Sequence, residues 1–191
     1  TNKIDATLGI VTSNGSAGIN NDISEAYKKL AELYQIREID LNKTKEIDSS
    51  LKTLIIVGPT EKFNDSELQA IDKFLMKGGS ILFLVDGIKI EQGLTAKENN
   101  VGLDKLLTSY GLKLNNDLIA DVNSGMASFS QGYITFSTNY PLWPKVVKGG
   151  FDQSNAAVAK LESLILPWAS SVEILKDKKK FVRYSIGISI K

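Results

Sequence analysis

The sequence predicts an α/β fold, with a mostly parallel sheet in the first half and a β-rich last third. Three observations carry this. Short apolar runs at Ala6–Thr12, Thr53–Val57 and Ile81–Val85 alternate with stripes of helical period. Two of those runs, TLIIV and ILFLV, are apolar without interruption, as strands covered on both faces must be. From Leu112 onward the helical period gives way to short β-rich stretches.

Each element follows from its own residues. Ala6–Thr12 is a strand that runs into a Ser/Asn/Gly loop, Ser13–Asn20. Ile23, Ala26, Tyr27, Leu30, Leu33 and Tyr34 recur at three- and four-residue steps and predict a helix, with Asn21 or Asp22 as its cap. Ile36, Ile39 and Leu41 mark a second strand. Thr53–Val57 is the third, closed by Gly58-Pro59. Asn64 then stands as an N-cap, with Glu67 in the capping-box position and Phe63 and Leu68 placed for a hydrophobic staple. The helix they start presents Leu68, Ile71, Leu75 and Met76 as its apolar stripe and stops at Gly78-Gly79. Ile81–Val85 is the next strand, closed by Asp86-Gly87. Strands alternating with helices of this length imply right-handed crossovers in a parallel sheet.

The second half is less regular. Leu103, Leu106, Leu107 and Tyr110 predict a short helix stopped by Gly111. Leu112–Val122 reads as extended, Gly132–Ser137 as a strand, and Asn139–Pro144 as a turn-rich segment. Leu164–Leu166, Val172–Leu175 and Phe181–Ile190 read as further strands. We expect one continuous domain over 1–191, with βα units at 6–111 and a β-rich extension at 112–191.

Composition narrows the function more than any motif does. A chain of 191 residues buries about 70% of its unfolded surface without help from disulfide or metal. Its 23 basic residues nearly balance 22 acidic ones, so no net field draws in nucleic acid. The sequence contains neither histidine nor cysteine. Thiolate and imidazole are therefore excluded as nucleophile, general base or zinc ligand, and no cofactor or metal is expected. No apolar run approaches the roughly 18 residues of a membrane span. Thr1 opens no signal peptide, and the chain stops within an apolar alternation. We expect a piece of a longer protein whose membrane segments lie outside this stretch.

In an open parallel sheet, ligands bind beyond the carboxyl ends of the strands. Three loops qualify: Ser13–Asn20, Gly58–Thr60 and Asp86–Ile88. Their candidate ligand-binding residues are Ser13, Asn14, Gly15, Thr60 and Asp86. Gly15 and Gly18 precede a helix, where backbone N–H groups cradle anions, but neither a dinucleotide fingerprint nor a P-loop is spelled out. A plain connection is the simpler reading. Asp86 stands alone at a strand end, without the companion carboxylates that a phosphoacceptor or Mg²⁺ site requires, so a turn role fits it better. Ser124, Ser128, Ser130 and Ser137 have no imidazole to activate them, and no lysine is singled out as a substitute base. Asn-x-Ser/Thr tripeptides at Asn14, Asn42 and Asn64 carry little weight, Asn64 being better used as a cap. Tyr133, Phe136, Tyr140, Trp143 and Trp168 read first as buried anchors of the β-rich part and second as a partner-binding patch. Lys176–Lys180 reads as a solvated turn, with a juxtamembrane basic anchor as the alternative.

The stretch TLIIVGPTEKFNDSELQAIDKFLMKGGSILFLVDG, Thr53–Gly87, resembles the auxiliary-protein family of uncharacterised ABC transport systems, which includes the gliding-motility transporter component. GLDKLLTSYGLKLNNDLIAD at Gly102–Asp121 continues the likeness, as do Tyr140-Pro141 and LPWASSVE at Leu166–Glu173. The resemblance implies a flavodoxin-like or class I glutamine-amidotransferase-like sandwich from which the amidotransferase chemistry is missing. It further implies a non-enzymatic binding or scaffold domain outside the cytoplasmic membrane, anchored by segments beyond this chain. Expected partners are the transporter's membrane or ATPase-associated subunits and envelope proteins. A receptor for a sugar-like or anionic ligand, using the strand-end cleft, is the alternative.

Overall fold

The computed structural model describes residues 6–131, 133–156 and 158–175. The turn expected at Lys176–Lys180 and the strand expected at Phe181–Ile190 lie outside the described residues. The chain divides into two compact units. One runs up to Val85 and takes in Asn99–Leu106; the other comprises Asp86–Glu98 and the chain from Leu107 on.

The first unit holds β1 (Thr7–Val11), α1 (Ser24–Leu33), β2 (Gln35–Ile39), β3 (Thr53–Val57), α2 (Asp65–Met76) and β4 (Ser80–Leu84). The four strands form one parallel sheet in the order β2-β1-β3-β4. Side chains alternate across a strand, so Leu8 and Ile10 of β1 share a face with Ile55 of β3. Tyr27 and Leu30 of α1, with Ile23 and Tyr34 beside it, pack on that cluster. Leu54 and Ile56 point to the other face and are fully buried, which accounts for the unbroken TLIIV run.

Both helices differ from expectation in an informative way. Neither Asn21 nor Asp22 caps α1; Ile23 holds the N-cap position without a side-chain bond. Asp22 is spent on the preceding loop, where its Oδ2 accepts from the Gly18 N–H at 2.7 Å. The buried face of α2 is Glu67, Ala70, Ile71 and Phe74, a clean i, i+3, i+4, i+7 set. Of the expected stripe Leu68, Ile71, Leu75 and Met76, Ile71 is fully buried, Leu68 and Leu75 are half-buried, and Met76 is 76% exposed. A charged residue heads the true stripe, so hydropathy alone places the centre of the buried face off to one side.

The second unit is built from β-ribbons. β5 (Ile88–Ile90) pairs antiparallel with β6 (Ala96–Glu98). After α3 (Asp104–Ser109), whose last residues enter this unit, β7 (Leu112–Leu114) pairs antiparallel with β11 (Val172–Ile174). β8 (Ser124–Gln131), β9 (Ile134–Val147) and β10 (Ser163–Ile165) form an antiparallel sheet in the order β10-β9-β8. Leu112–Val122 is thus a strand only at its start.

The segment Asn139–Pro144 is part of β9, against the turn expected there. Pro141 is tolerated because the ladder breaks where it sits, and Pro144 stands where pairing resumes opposite Ser124. Met126 pairs with Asn139 and Ser124 with Pro144, so only Gly125 stands opposite the four residues 140–143. A bulge removes the need for the N–H groups that proline lacks. The aromatics are likewise not uniformly buried. Trp143 meets Trp168 edge-on at 5.4 Å and Tyr140 at 6.0 Å, in the half-buried part of the ribbon. Tyr133 and Phe136 are exposed. In an isolated two-stranded ribbon only the base has neighbours to pack against.

The orientation of α2 is open to test by substitution. Ile71→Ala should cost about 2–5 kcal/mol, and Met76→Ala no more than about 0.5 kcal/mol, in urea unfolding. Equal costs would mean the helix is turned from the face described.

Candidate functional site

The strand order puts β1 between β2 and β3, so successive crossovers leave β1 on opposite sides. That is the topological switch point at which open α/β sheets form their ligand crevice. The loops after β1 and β3 flank it, and they bring Ser13, Asn14, Gly15 and Thr60 together.

These residues bond to one another and to the frame. The Ser13 hydroxyl donates to Asn14 Oδ1 at 2.6 Å and accepts from the Leu41 N–H at 3.1 Å. The Asn14 carbonyl accepts from the N–H groups of Thr60 and Glu61, at 3.1 and 3.0 Å. Thr60 Oγ1 donates to the Gly15 carbonyl at 3.1 Å. Asn14 and Gly15 both take left-handed backbone conformations, with φ of 59° and 61°. Asn tolerates that region and Gly occupies it freely. Gly15 is doubly required, since a Cβ there would stand 2.2 Å from Thr60 Oγ1.

Glu67 is the residue that hydropathy passes over. It is 2% exposed at the start of α2, and Asn14 is 5% exposed. Glu67 Oε2 accepts from Asn14 Nδ2 at 3.0 Å and from the Asn64 N–H at 2.7 Å. Asn64 Oδ1 accepts in turn from the N–H groups of Ser66 and Glu67, both at 3.0 Å, completing the capping box. One carboxylate oxygen thus caps a helix and anchors the loop after β1. Glu67 Oε1 and Ser16 Oγ are buried without a hydrogen-bond partner. The sequence signals the capping role through its Asn-x-x-Glu spacing. It gives no sign of the bond to Asn14, which joins positions 53 residues apart.

The chemistry open to this arrangement is limited. The Ser13 hydroxyl has no base beside it, and both of its bonds hold the loop. Among the described residues no three Asp, Glu, His or Cys side chains gather as a metal site. Asp86 belongs to the second unit. Burial of its carboxyl raises its pKa above the ordinary aspartate value. The N–H of the neighbouring Gly87 donates to Ser170 Oγ at 3.0 Å.

The second unit has a polar junction of its own. Asp117 Oδ2 accepts from Ser171 Oγ at 2.6 Å, and Oδ1 from the Ser171 N–H at 2.8 Å. The Asp117 carbonyl accepts from Ser170 Oγ at 2.8 Å. Asn115 Nδ2 donates to Ser171 Oγ at 3.0 Å. Segments that the sequence shows as separate landmarks, Asn116-Asp117 and LPWASSVE, are therefore joined. Trp168, within the second, has the strained φ of 54° and donates its N–H to the Leu142 carbonyl at 2.8 Å.

Both junctions make predictions. Asn14→Ala and Glu67→Ala should each lower stability by about 1–3 kcal/mol. The double variant should fall short of their sum by at least about 0.5 kcal/mol in chemical unfolding, because the two share a bond. Full additivity would refute the shared bond. The hydroxyl and then the N–H of Ser171 lower the Asp117 pKa below 3.8. A folded-state pKa below the unfolded one stabilises at pH values above the unfolded pKa, and this is lost as pH falls through the folded one. Wild type should therefore exceed Asp117→Asn in stability at neutral pH, and the gap should narrow below about pH 4. A gap unchanged by acid would deny the junction its charge.

Comparison with known proteins agrees with the architecture. The mmIFT52 N-terminal domain superposes with a TM-score of 0.62 at 23% identity, covering 90% of this chain and 69% of that one. The human intraflagellar transport protein 52 homolog is 30% identical over 100 residues, 52% of this chain and 22% of that protein. The mouse homolog is 25% identical over 164 residues, 82% of this chain and 37% of that protein. The chain thus spans between a fifth and two fifths of the length of these curated relatives. The model of the ABC-type uncharacterized transport system family, of auxiliary proteins, matches residues 5–184, and the chain belongs to that family.

Proposed function

We propose that this chain is a non-enzymatic binding or scaffold domain of an ABC transport system, acting outside the cytoplasmic membrane and held there by segments beyond this stretch. The observation that carries the reading is the internal bonding of the loop at the switch point. Ser13 and Asn14 are buried at the switch point, and their polar atoms are engaged with Leu41, Thr60, Glu61 and Glu67. A receptor of this architecture keeps such groups free to meet its ligand; here Ser13 and Asn14 are engaged, while Ser16 Oγ and Glu67 Oε1 are buried without a partner. The lack of histidine and cysteine throughout the sequence removes thiolate and imidazole chemistry as well. The strand order β2-β1-β3-β4 supports a flavodoxin-like or amidotransferase-like sandwich that has kept its frame without the chemistry. The relatives are named for a transport system of another kind, which favours assembly with other proteins over catalysis. The transporter's membrane or ATPase-associated subunits are the proposed partners, and a gliding-motility-type system is the proposed setting.

The test is affinity capture with the full-length protein from solubilised membranes of its own cell, joined to thermal-shift screening of sugars and small anions. Recovery of ABC transporter subunits, with no ligand shifting the melting temperature, is the expected result. A ligand at 100 times its dissociation constant adds about 2.7 kcal/mol, a shift of several degrees that is easily seen. Such a shift, abolished by Thr60→Ala, would replace the scaffold reading with that of a small-molecule receptor.

A further inference from the structure

The β8–β9 ribbon carries no charged residue from Val122 to Pro144, between Asp121 and Lys145, in a chain that is 24% charged. β8 is the outer strand of its sheet, and among the described residues nothing pairs with its outer edge. Such an edge offers a row of N–H and C=O groups to any extended segment. Proteins ordinarily blunt it with lysine, proline, a bulge or extreme shortness. From Met126 to Gln131, β8 has none of these, and its pairing with β9 is regular from Met126↔Asn139 to Gln131↔Ile134. The irregularity in the ribbon lies before Met126.

The two faces of the strand differ. Ala127 and Phe129 share one face with Thr138 and Phe136 across the ladder, and the Phe129 and Phe136 rings lie 5.7 Å apart. Met126, Ser128 and Ser130 share the other with Asn139, Ser137 and Thr135. There the Ser128 and Ser137 hydroxyls bond at 2.8 Å, and those of Ser130 and Thr135 at 2.9 Å.

We propose that the outer edge of β8 is a self-association surface, pairing antiparallel with β8 of a second copy about a two-fold axis at Ser128. An axis normal to the sheet keeps each face on its own side, so residues of equal parity meet. Ala127 then lies opposite Phe129 of the second copy, small against large, and Met126 opposite Ser130. Ser128 meets its own counterpart, and the hydroxyl row runs on from Ser137 through both copies. Self-pairing of a charged strand sets like charges opposite each other at a cost, and β8 has none to oppose. This neutrality, with the small-to-large match, selects a second copy as the occupant. A lipid surface would accept the uncharged side chains but leave the N–H and C=O row unpaired. The six-residue edge is about 20 Å long, so a weak, concentration-dependent contact is expected.

Sedimentation of the wild-type protein from micromolar to millimolar concentration is the first measurement. A reversible dimer is expected, and a monomer throughout the range overturns the proposal. Ser128→Lys and Ser128→Glu should each weaken association at least tenfold, and an equimolar mixture of the two should restore it. Dimers that persist in both variants, or a mixture that stays monomeric, would also overturn it. Because the sequence has no cysteine, Ser128→Cys supplies a check that does not depend on the charged variants folding. Under mild oxidation it should form disulfide-linked dimer at least tenfold faster than Ser137→Cys on the neighbouring strand. Equal rates would point to another occupant, such as an extended segment of a different protein or of this chain.

Discussion

The first unit depends on one buried carboxylate. Burying a charged or strongly polar group costs several kcal/mol unless it is bonded. Glu67 recovers that cost through the Asn64 N–H and the Asn14 amide. Both bonds fall on one oxygen, so the start of α2 and the loop after β1 cannot move independently. Asn14 passes the constraint on, its carbonyl holding the N–H groups of Thr60 and Glu61. Ser13 extends it to Leu41 beyond β2. The carboxyl ends of three neighbouring strands are thus tied at a place where many α/β proteins keep an opening.

That tie has a cost elsewhere. Two left-handed residues in sequence, Asn14 and Gly15, are needed to turn the loop inward, and Glu67 Oε1 is left buried without a partner. A lost or unmade hydrogen bond at a buried group costs about 1–3 kcal/mol. The bonds made by Ser13, Asn14, Thr60 and Glu67 at the switch point hold the loop to its own frame. The second unit has a polar junction of its own on an exposed carboxylate, where Asp117 joins Ser170 and Ser171 across half a hundred residues of chain.

How far the sequence discloses this depends on the range of the interaction. β3 is legible because a central strand covered on both faces is apolar almost throughout, as LIIV is. β4 is as apolar but lies at the sheet edge, half-buried at best and with Leu84 49% exposed, so the double cover expected of it is not found. The capping box is legible because its partners, Asn64 and Glu67, are three residues apart. The rotation of α2 is not, because the residue that heads its buried face is an acid, and an acid is buried only when a distant partner exists. The turn expected at Asn139–Pro144 fails for a related reason. Proline forbids ladder bonds, but whether a ladder bond is required there depends on what β8 offers opposite. The candidate site shows both sides. Ser13, Asn14, Gly15 and Thr60 are found by their position at strand ends, while their mutual bonding, which decides what they do, is a tertiary fact.

Internal bonding at the switch point changes where recognition is to be sought. A pocket protein spends its conformational freedom on loops at the switch point; here those loops are fixed from three sides by Leu41, Thr60 with Glu61, and Glu67. Surface recognition has different physical needs. It requires backbone groups without internal partners, or apolar area without cover, held on a rigid support. The β8–β9 ribbon meets both. Its exposed Ile134 and Phe136 stand beside a strand edge that no charge or proline blunts, and its base is pinned by the Tyr140, Trp143 and Trp168 rings. The same sequence that lacks thiol and imidazole is well supplied for contact. Strand-to-strand contact needs no more than this, because it draws on main-chain groups that every residue but proline carries in full.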